Sequence, residues 1–591
     1  MPYDPANPII VQSDKSILLE VDNPRYEEAR DALARFADLE KSPEHIHTYR
    51  ITPLSLWNAA AAGLDARTIV DTLARYGKYE LPANVQVDIA DYIGRYGRLK
   101  LRREDGQLLL VSDDAPLIAE IVRHKKIAPF VLAQRDAYTL LVNPALRGHI
   151  KQALVHFGFP AEDLAGYVEG APLPVQLYAV TRSGLPFDLR RYQQEAVDIF
   201  YAGGHARGGS GVVVLPCGAG KTVVGMAIMA KLQCATLILT PSTIAARQWM
   251  EELQDKTAIP AADIGEYSGE RKEIKPVTVA SYQILTYRQG KGEDFPHFAL
   301  FNERNWGLII YDEVHLLPAP VFRITAEIQA RRRLGLTATL VREDGRESDV
   351  FSLIGPKKYD VPWKELERQG WIATAECHEI RIAMPEGDRM GYAVAEEREK
   401  YRLAAENPVK LPIIEALVAK HEGDNILIIG QFLDQLKAVA AMVDAPLITG
   451  KTANLERARL YEQFRRGEQR LLVVSKVANF SIDLPDANVA IQISGTFGSR
   501  QEEAQRLGRI LRPKRNGLLA HFYSLVTKDT RDQDFAARRQ MFLTEQGYRY
   551  EILYDHEVAA YRPVTLALPP TVCPDRALPG AGLSLPPGGT E

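Results

Sequence analysis

At 591 residues, with 46% hydrophobic and 25% charged side chains, the chain has the make-up of an ordinary soluble protein, too long for one core and expected to form about three to five domains. Its net charge of -4 and pI near 6.4 exclude a globally basic nucleic-acid binder, so any such footprint must be local. No run of about 18 apolar residues is present to cross a bilayer, the start MPYDPANPII lacks the pattern of a secretion signal, and Cys217, Cys234, Cys377 and Cys573 have neither metal-like nor disulfide-like spacing. A cytoplasmic protein with no membrane contact, no structural disulfide and no zinc site is expected.

Residues 1–112 read as an N-terminal α+β region. LSLWNAAAAG, ARTIVDTLARYG and VQVDIADYIGRYG have helical periodicity, and RLKLRREDGQLLLVS alternates around Asp105-Gly106, a strong hairpin signal. Three helices followed by a hairpin suggest a winged helix. Arg98, Lys100, Arg102 and Arg103 on its wing either reach a phosphate backbone or form one solvated strand face. A smaller mixed segment, 113–180, follows and includes the linker-like EGAPLP.

From Ser210 to about Val526 short, nearly continuous apolar runs alternate with helix-period segments: GVVVL, ATLILT, WGLIIYD and RLGLT, then NILIIG, RLLVVS, VAIQIS and HFYSLV. Strands buried on both faces and separated by helices mark parallel sheets. Two α/β domains are expected, 181–361 and 362–550, the second with a charged helical insert at about 386–407. The last residues, 551–591, are dense in Pro and Gly and are expected to be largely disordered.

The run GVVVL leads into PCGAGKT and then the helical VVGMAIMAKL. Such a turn surrounds a phosphate with backbone N–H groups at the positive end of a helix. Pro216, Cys217, Gly218, Ala219, Gly220, Lys221 and Thr222 form the candidate loop; Lys221 would reach the β and γ phosphates, and Thr222 would ligate Mg²⁺. Leu215 stands where the strict pattern has its first glycine, which leaves the ordinary strand-to-helix turn open. WGLIIYDEVH then delivers Asp312 and Glu313 at the carboxyl end of a buried strand, where α/β sheets place ligands. Asp312 suits Mg²⁺ and Glu313 suits a base that deprotonates an attacking water. In QRLGRILR, helical spacing aligns Gln505, Arg509 and Arg512, and the two guanidiniums suit charge developing on a transferred phosphoryl group. With the loop on one domain and these arginines on the other, ATP and Mg²⁺ are expected in the cleft between them.

LRRYQQEA, LPCGAGKT, ILTPS, YDEVH, LTATLVRED, SKVANFSIDLPDA and EEAQRLGRILR occur in the order of the superfamily 2 helicase motifs, and in detail the chain resembles the XPB family of DNA translocases and helicases over roughly residues 185–550. The resemblance implies a fold of two tandem RecA-like parallel-sheet domains behind the α+β, winged-helix-like region, and an ATP-dependent 3′–5′ DNA motor acting in repair. It also implies an adenine contact at Gln193 with Arg190 beside it, and a place for Asp483 near the nucleotide. Thr240, Pro241, Ser242, Thr449 and Gly450 fall where such proteins touch a strand through its phosphates. Thr337, Ala338 and Thr339 match the motif linking hydrolysis to domain motion. Arg342, Glu343 and Asp344 match a tripeptide implicated in strand separation, and the 386–407 insert sits where the family has its thumb. The partners expected are single-stranded and duplex DNA without base specificity and a nuclease or repair protein, with the chain itself a monomer. A double-strand translocase, an idle DNA-binding scaffold and an RNA substrate are the alternatives.

Overall fold

The computed structural model describes residues 3–216, 218–288, 290, 295–329, 331–338, 340, 345–361, 363–369, 371, 375–475, 487–495, 519–545, 548 and 550–558. Near the N-terminus, alternation of buried and half-buried residues along Ser16–Glu20 and Ile46–Arg50 builds a four-stranded antiparallel sheet, ordered Ile9–Val11, Ser16–Glu20, Ile46–Arg50, Asp38–Lys41. Three helices follow, Pro53–Ala61, Ala66–Tyr76 and Ala83–Arg95. Thr52 and Ser55 close a reciprocal capping box on the first, and the Asp65 carboxylate caps the second by accepting from Thr68 N. Leu56, Ile69, Leu73, Val85 and Ile89 share one core with Ile17, Leu19 and Tyr26 of the sheet and its helix, so the helices do not fold as a separate unit.

The hairpin Leu99–Glu104 and Gln107–Val111 turns at Asp105 (φ 49°) and Gly106 (φ 79°). Two successive positive φ values are what a two-residue type I′ turn requires. The hairpin lies inside a five-stranded sheet ordered Val131–Gln134, Thr139–Val142, Gln107–Val111, Leu99–Glu104, Ala161–Asp163, so the division expected at residue 112 runs through this sheet. Leu99, Leu101, Leu108 and Leu110 pack on Ile118, Leu140 and Leu154, whereas Arg102 and Arg103 stay exposed. Arg147 grips Asp163 with Nη2–Oδ1 at 2.6 Å, and Lys151 Nζ bridges Asp163 (3.0 Å) and Gln329 (2.9 Å) on the next domain. Burial opposes ionisation of Asp163, but Lys151 and then Arg147 outweigh it and hold the carboxyl far below its ordinary value.

The stretch expected as a linker is a strap. Ala171 donates to Asn305 O (2.7 Å) and accepts from Ala235 N (2.8 Å), and Leu173 and Val175 are buried. Gly170 (φ 84°) makes this approach possible, since a Cβ there would stand 2.3 Å from the Gly307 backbone.

The first α/β sheet is parallel and ordered Ile264–Tyr267, Val277–Ser281, Thr236–Thr240, Leu308–Asp312, Arg332–Thr337, Ser210–Val214, Lys357–Asp360. The second, also parallel, runs Leu447–Ile448, Leu471–Ser475, Ile426–Gly430, Val489–Gln492, Ala520–Thr527, Ala375–Ile382, Tyr550–Tyr554. Every apolar run singled out between Ser210 and Val526 is one of these strands. The α/β fold class with two tandem parallel-sheet domains therefore holds, and helices at Glu386–Val394 and Glu397–Ala405 occupy the insert. Tyr359 donates to Glu195 (3.0 Å) and Arg190 stacks on Trp371 (4.4 Å to the ring centre), linking the edge of the first domain to the segment that leads into the second.

Candidate active site

Thr240, Asp312, Thr337 and Leu215 stand at the carboxyl edge of four neighbouring strands, brought level by parallel pairing in register. Beyond Val214 the chain leaves the sheet through Leu215, whose N–H donates to Thr337 O (2.9 Å) and whose side chain is fully buried. Gly218 (φ 83°) and Gly220 (φ 81°) turn it back into the helix Lys221–Leu232. Both angles are left-handed and suit glycine. A side chain at Gly220 would also strike Gln193 Nε2 at 2.5 Å.

The reason is the support under the loop. Gln193 Nε2 (2.9 Å) and Tyr192 Oη (2.7 Å) both donate to Ala219 O, while Gln193 Oε1 accepts from Arg190 N (3.0 Å). Gln193, expected at the adenine, is 3% exposed and spends both ends of its amide on bracing the loop against its own helix. Pro216, Ala219, Gly220, Lys221 and Thr222 sit in the turn and first helical positions as expected; Cys217 lies outside the described residues.

Two strands away the chain presents Asp312 and then Glu313. The latter adopts φ 48°, ψ 56°, a left-handed conformation costly for a side chain with a Cβ. Lys221 Nζ pairs with Glu313 Oε1 at 2.9 Å, His315 Nδ1 stands 3.4 Å from Glu313 Oε2, and the same nitrogen is 2.7 Å from Thr337 Oγ1. The Trp249 indole donates to Asp312 Oδ2 at 2.9 Å, and Tyr282 Oη to Asp312 O at 2.8 Å. His315, Trp249, Tyr192 and Tyr282 are supports that sequence reasoning did not single out. His315 had a signal, standing two residues after Glu313; Trp249, some sixty positions upstream, had none.

Electrostatics divides the two carboxylates. Burial opposes ionisation of Glu313, but Lys221 and then His315 hold it below its ordinary range. Burial, and then the charge of Glu313, pushes Asp312 up to about 6. Asp312 is thus the less compensated carboxylate, and a divalent cation beside it would supply what Lys221 gives its neighbour. Together with the left-handed glycine turn at a helix N-terminus, this arrangement fits a phosphate group with an accompanying cation.

The other predicted residues distribute as follows. Thr240 is fully buried, its hydroxyl donating to Ser242 O (3.1 Å) and Ala280 O (3.3 Å), whereas Pro241 and Ser242 are half-buried, with Ser242 capping the helix Thr243–Lys256. Thr449 and Gly450 form the turn after the short strand Leu447–Ile448, Gly450 exposed. Thr337 and Ala338 are buried beside the carboxylate pair. Thr339, Arg342, Glu343, Asp344, Asp483, Gln505, Arg509 and Arg512 lie outside the described residues.

Residues 366–566 match the family described as ERCC3/RAD25/XPB C-terminal helicase, residues 186–342 the type III restriction enzyme res subunit, and residues 9–136 the helicase conserved C-terminal domain. The "DNA 3'-5' helicase XPB" of Kineococcus radiotolerans is 57% identical over 547 residues, covering 92% of this chain and 96% of the relative. Its namesake in Mycobacterium tuberculosis is 57% identical over 546 residues, covering 92% and 97%. The "General transcription and DNA repair factor IIH helicase/translocase subunit XPB" of Enterocytozoon bieneusi is 33% identical over 570 residues, covering 92% of each.

Proposed function

Because the chain belongs to the XPB family of helicases, we propose that it is an ATP-dependent motor that tracks along DNA in the 3′–5′ direction and parts the duplex. The observation that carries this reading is the Lys221–Glu313 pair, 2.9 Å long, set between a left-handed glycine turn and the Asp312 carboxylate held by Trp249. In this reading residues 216–222 enclose the phosphates, Thr222 and Asp312 hold Mg²⁺, and Arg190, Gln193 and Asp483 border the nucleotide. Bound Mg²⁺ supplies neutralisation of phosphate charge. Lys221 keeps Glu313 ionised in the resting protein, then exchanges Glu313 for the γ-phosphate and leaves the carboxylate ready to take a proton from water. Gln505, Arg509 and Arg512 complete the cleft from the second domain and couple turnover to its closure.

Thr240, Pro241, Ser242, Thr449 and Gly450 are proposed to follow one strand through its phosphates, Thr240 by its backbone because its side chain is sealed. Arg342, Glu343 and Asp344 act at the point of strand separation. Contacts of this kind give little base preference and strong weakening by salt. A role in DNA repair with a nuclease or repair-protein partner, as a monomer in the cytoplasm, completes the proposal; among the described residues no helix is long and apolar enough to cross a membrane.

The test is ATP turnover by the full chain, Lys221→Ala and Glu313→Gln, each with single-stranded DNA, duplex DNA or RNA. DNA stimulation in the parent that both variants lose is the expected result; stimulation by RNA alone overturns the substrate. Strand displacement beside triplex displacement then separates unwinding from translocation, since a motor that does not unwind clears only the triplex.

A further inference from the structure

At the amino ends of three neighbouring strands in the second domain, polar side chains meet on one face. Glu376 is paired across the ladder with His521, and His378 with Tyr523 on one side and Glu551 on the other. Because side chains alternate along a strand, Glu376 and His378 point the same way. Both histidines are buried, and Glu376 Oε2, also buried, accepts no hydrogen bond among the described residues. That oxygen lies 3.3 Å from His521 Nδ1 and 3.8 Å from His378 Nε2. All three groups offer donor atoms within 4.8 Å of one another.

These separations have a chemical meaning. Ligand atoms held about 2.0–2.1 Å from one tetrahedral metal ion stand about 3.4 Å apart, and a neutral imidazole pair with one carboxylate is a common set for such an ion. The second ring nitrogen of His378, Nδ1, is 3.2 Å from Glu551 Oε2. At this separation Glu551 is near enough to serve as the outer carboxylate that orients a metal-binding histidine, although the two atoms are not aligned as a hydrogen bond here. Lys420 lies close enough to interact electrostatically with both Glu376 and Glu551. Glu376, His378 and Glu551 line a cavity of about 1440 Å³ that is also lined by N-terminal residues around His45.

We propose that Glu376 Oε2, His378 Nε2 and His521 Nδ1 bind one zinc-class divalent transition-metal ion, with its fourth position facing this cavity. The site is remote in kind from the carboxyl-edge carboxylates and does not rest on the motor reading. It also departs from the expectation of no zinc, which followed from cysteine spacing and did not consider a ligand set of histidines and a glutamate drawn from separate strands.

The experiment is titration of the chelator-treated full chain with Co²⁺, followed by Zn²⁺ competition. Expected are one Co²⁺ per chain, the intense visible absorption of four-coordinate cobalt, and its displacement by Zn²⁺. His378→Gln and His521→Gln should each weaken binding by about tenfold or more, and Glu376→Gln, which keeps both imidazoles and relieves a buried charge, guards against a folding failure of the histidine variants. His45→Gln, lining the same cavity and exposed, should bind as the parent does. Absence of stoichiometric uptake, a weak six-coordinate spectrum, or equal binding by folded Glu376→Gln overturns the proposal, as does loss of binding in His45→Gln.

Discussion

The two α/β domains carry a lysine–carboxylate pair near the same edge of the same kind of sheet, and the pairs differ in what surrounds them. Lys221 and Glu313 lie 2.9 Å apart with side chains 12% and 14% exposed. Lys410 and Asp532 lie 2.8 Å apart at 1% and 0%. The second pair is sealed by the backbone, with Lys410 Nζ donating to Ile493 O (3.0 Å) and Asp532 accepting from Thr527 N (3.1 Å). The first has left-handed glycines beside it and an under-compensated Asp312 next door. An ion pair in an α/β protein is therefore read as a working or a structural one by its second partners and its solvent face; residue type and sheet position do not decide.

Breaking the sealed pair should have the largest effect. Lys410→Ala strands the Asp532 carboxylate with no water to reach it, and removal of one member of a buried pair costs about 3–5 kcal/mol. Urea or guanidinium unfolding of the second domain should show that loss. A destabilisation below about 1 kcal/mol would mean that the backbone contacts alone hold this edge and that the two pairs are alike. Glu313→Gln comes next and should fail differently: ATP turnover falls by about 10²–10³, comparable to removal of one preorganised catalytic group, while the melting temperature stays near the parent value. An equal fall in stability would erase the distinction drawn between the edges.

A smaller effect separates Asp312 from its neighbour. Trp249→Phe keeps the ring packed in the core but removes the indole N–H from Asp312 Oδ2. A hydrogen bond to a charged group contributes about 1.5–3 kcal/mol, so turnover should drop by about tenfold, with a higher Mg²⁺ requirement than the parent. An unchanged Mg²⁺ dependence would argue that Trp249 only packs.

Much of this was legible in the chain. Parallel strands buried on both faces have no solvent side to alternate with, so GVVVL or NILIIG announces itself; the glycine turn and the Asp-Glu pair follow from what phosphate and metal require at a strand end. The N-terminal sheet was not legible, because Ile9–Val11 and Asp38–Lys41 span only three and four residues and show no period. Nor was the strap at 169–175, since Gly and Pro look alike in a linker and in a segment bound edge to edge with Gly307. Trp249, Lys410 and the Glu376–His378–His521 group depend on side chains from separate elements meeting after folding. No local pattern records such a meeting.

The smallest expected effect concerns a region outside both edges. Arg102 and Arg103 project from the hairpin with no carboxylate paired to either among the described residues, and the five-stranded sheet beneath them is bolted through Lys151 to Gln329 of the first domain. If the two domains grip a duplex as proposed, a charge held this rigidly relative to the first domain can follow it. Replacing both by alanine leaves the hydrophobic face of Leu99, Leu101, Leu108 and Leu110 untouched, so stability should change by less than about 0.5 kcal/mol. If both reach phosphates, the slope of log affinity against log salt for duplex DNA should fall by roughly 1.8, with turnover at saturating DNA unaltered. An unchanged slope would assign the two arginines to a solvated strand face and leave DNA binding to the paired α/β domains.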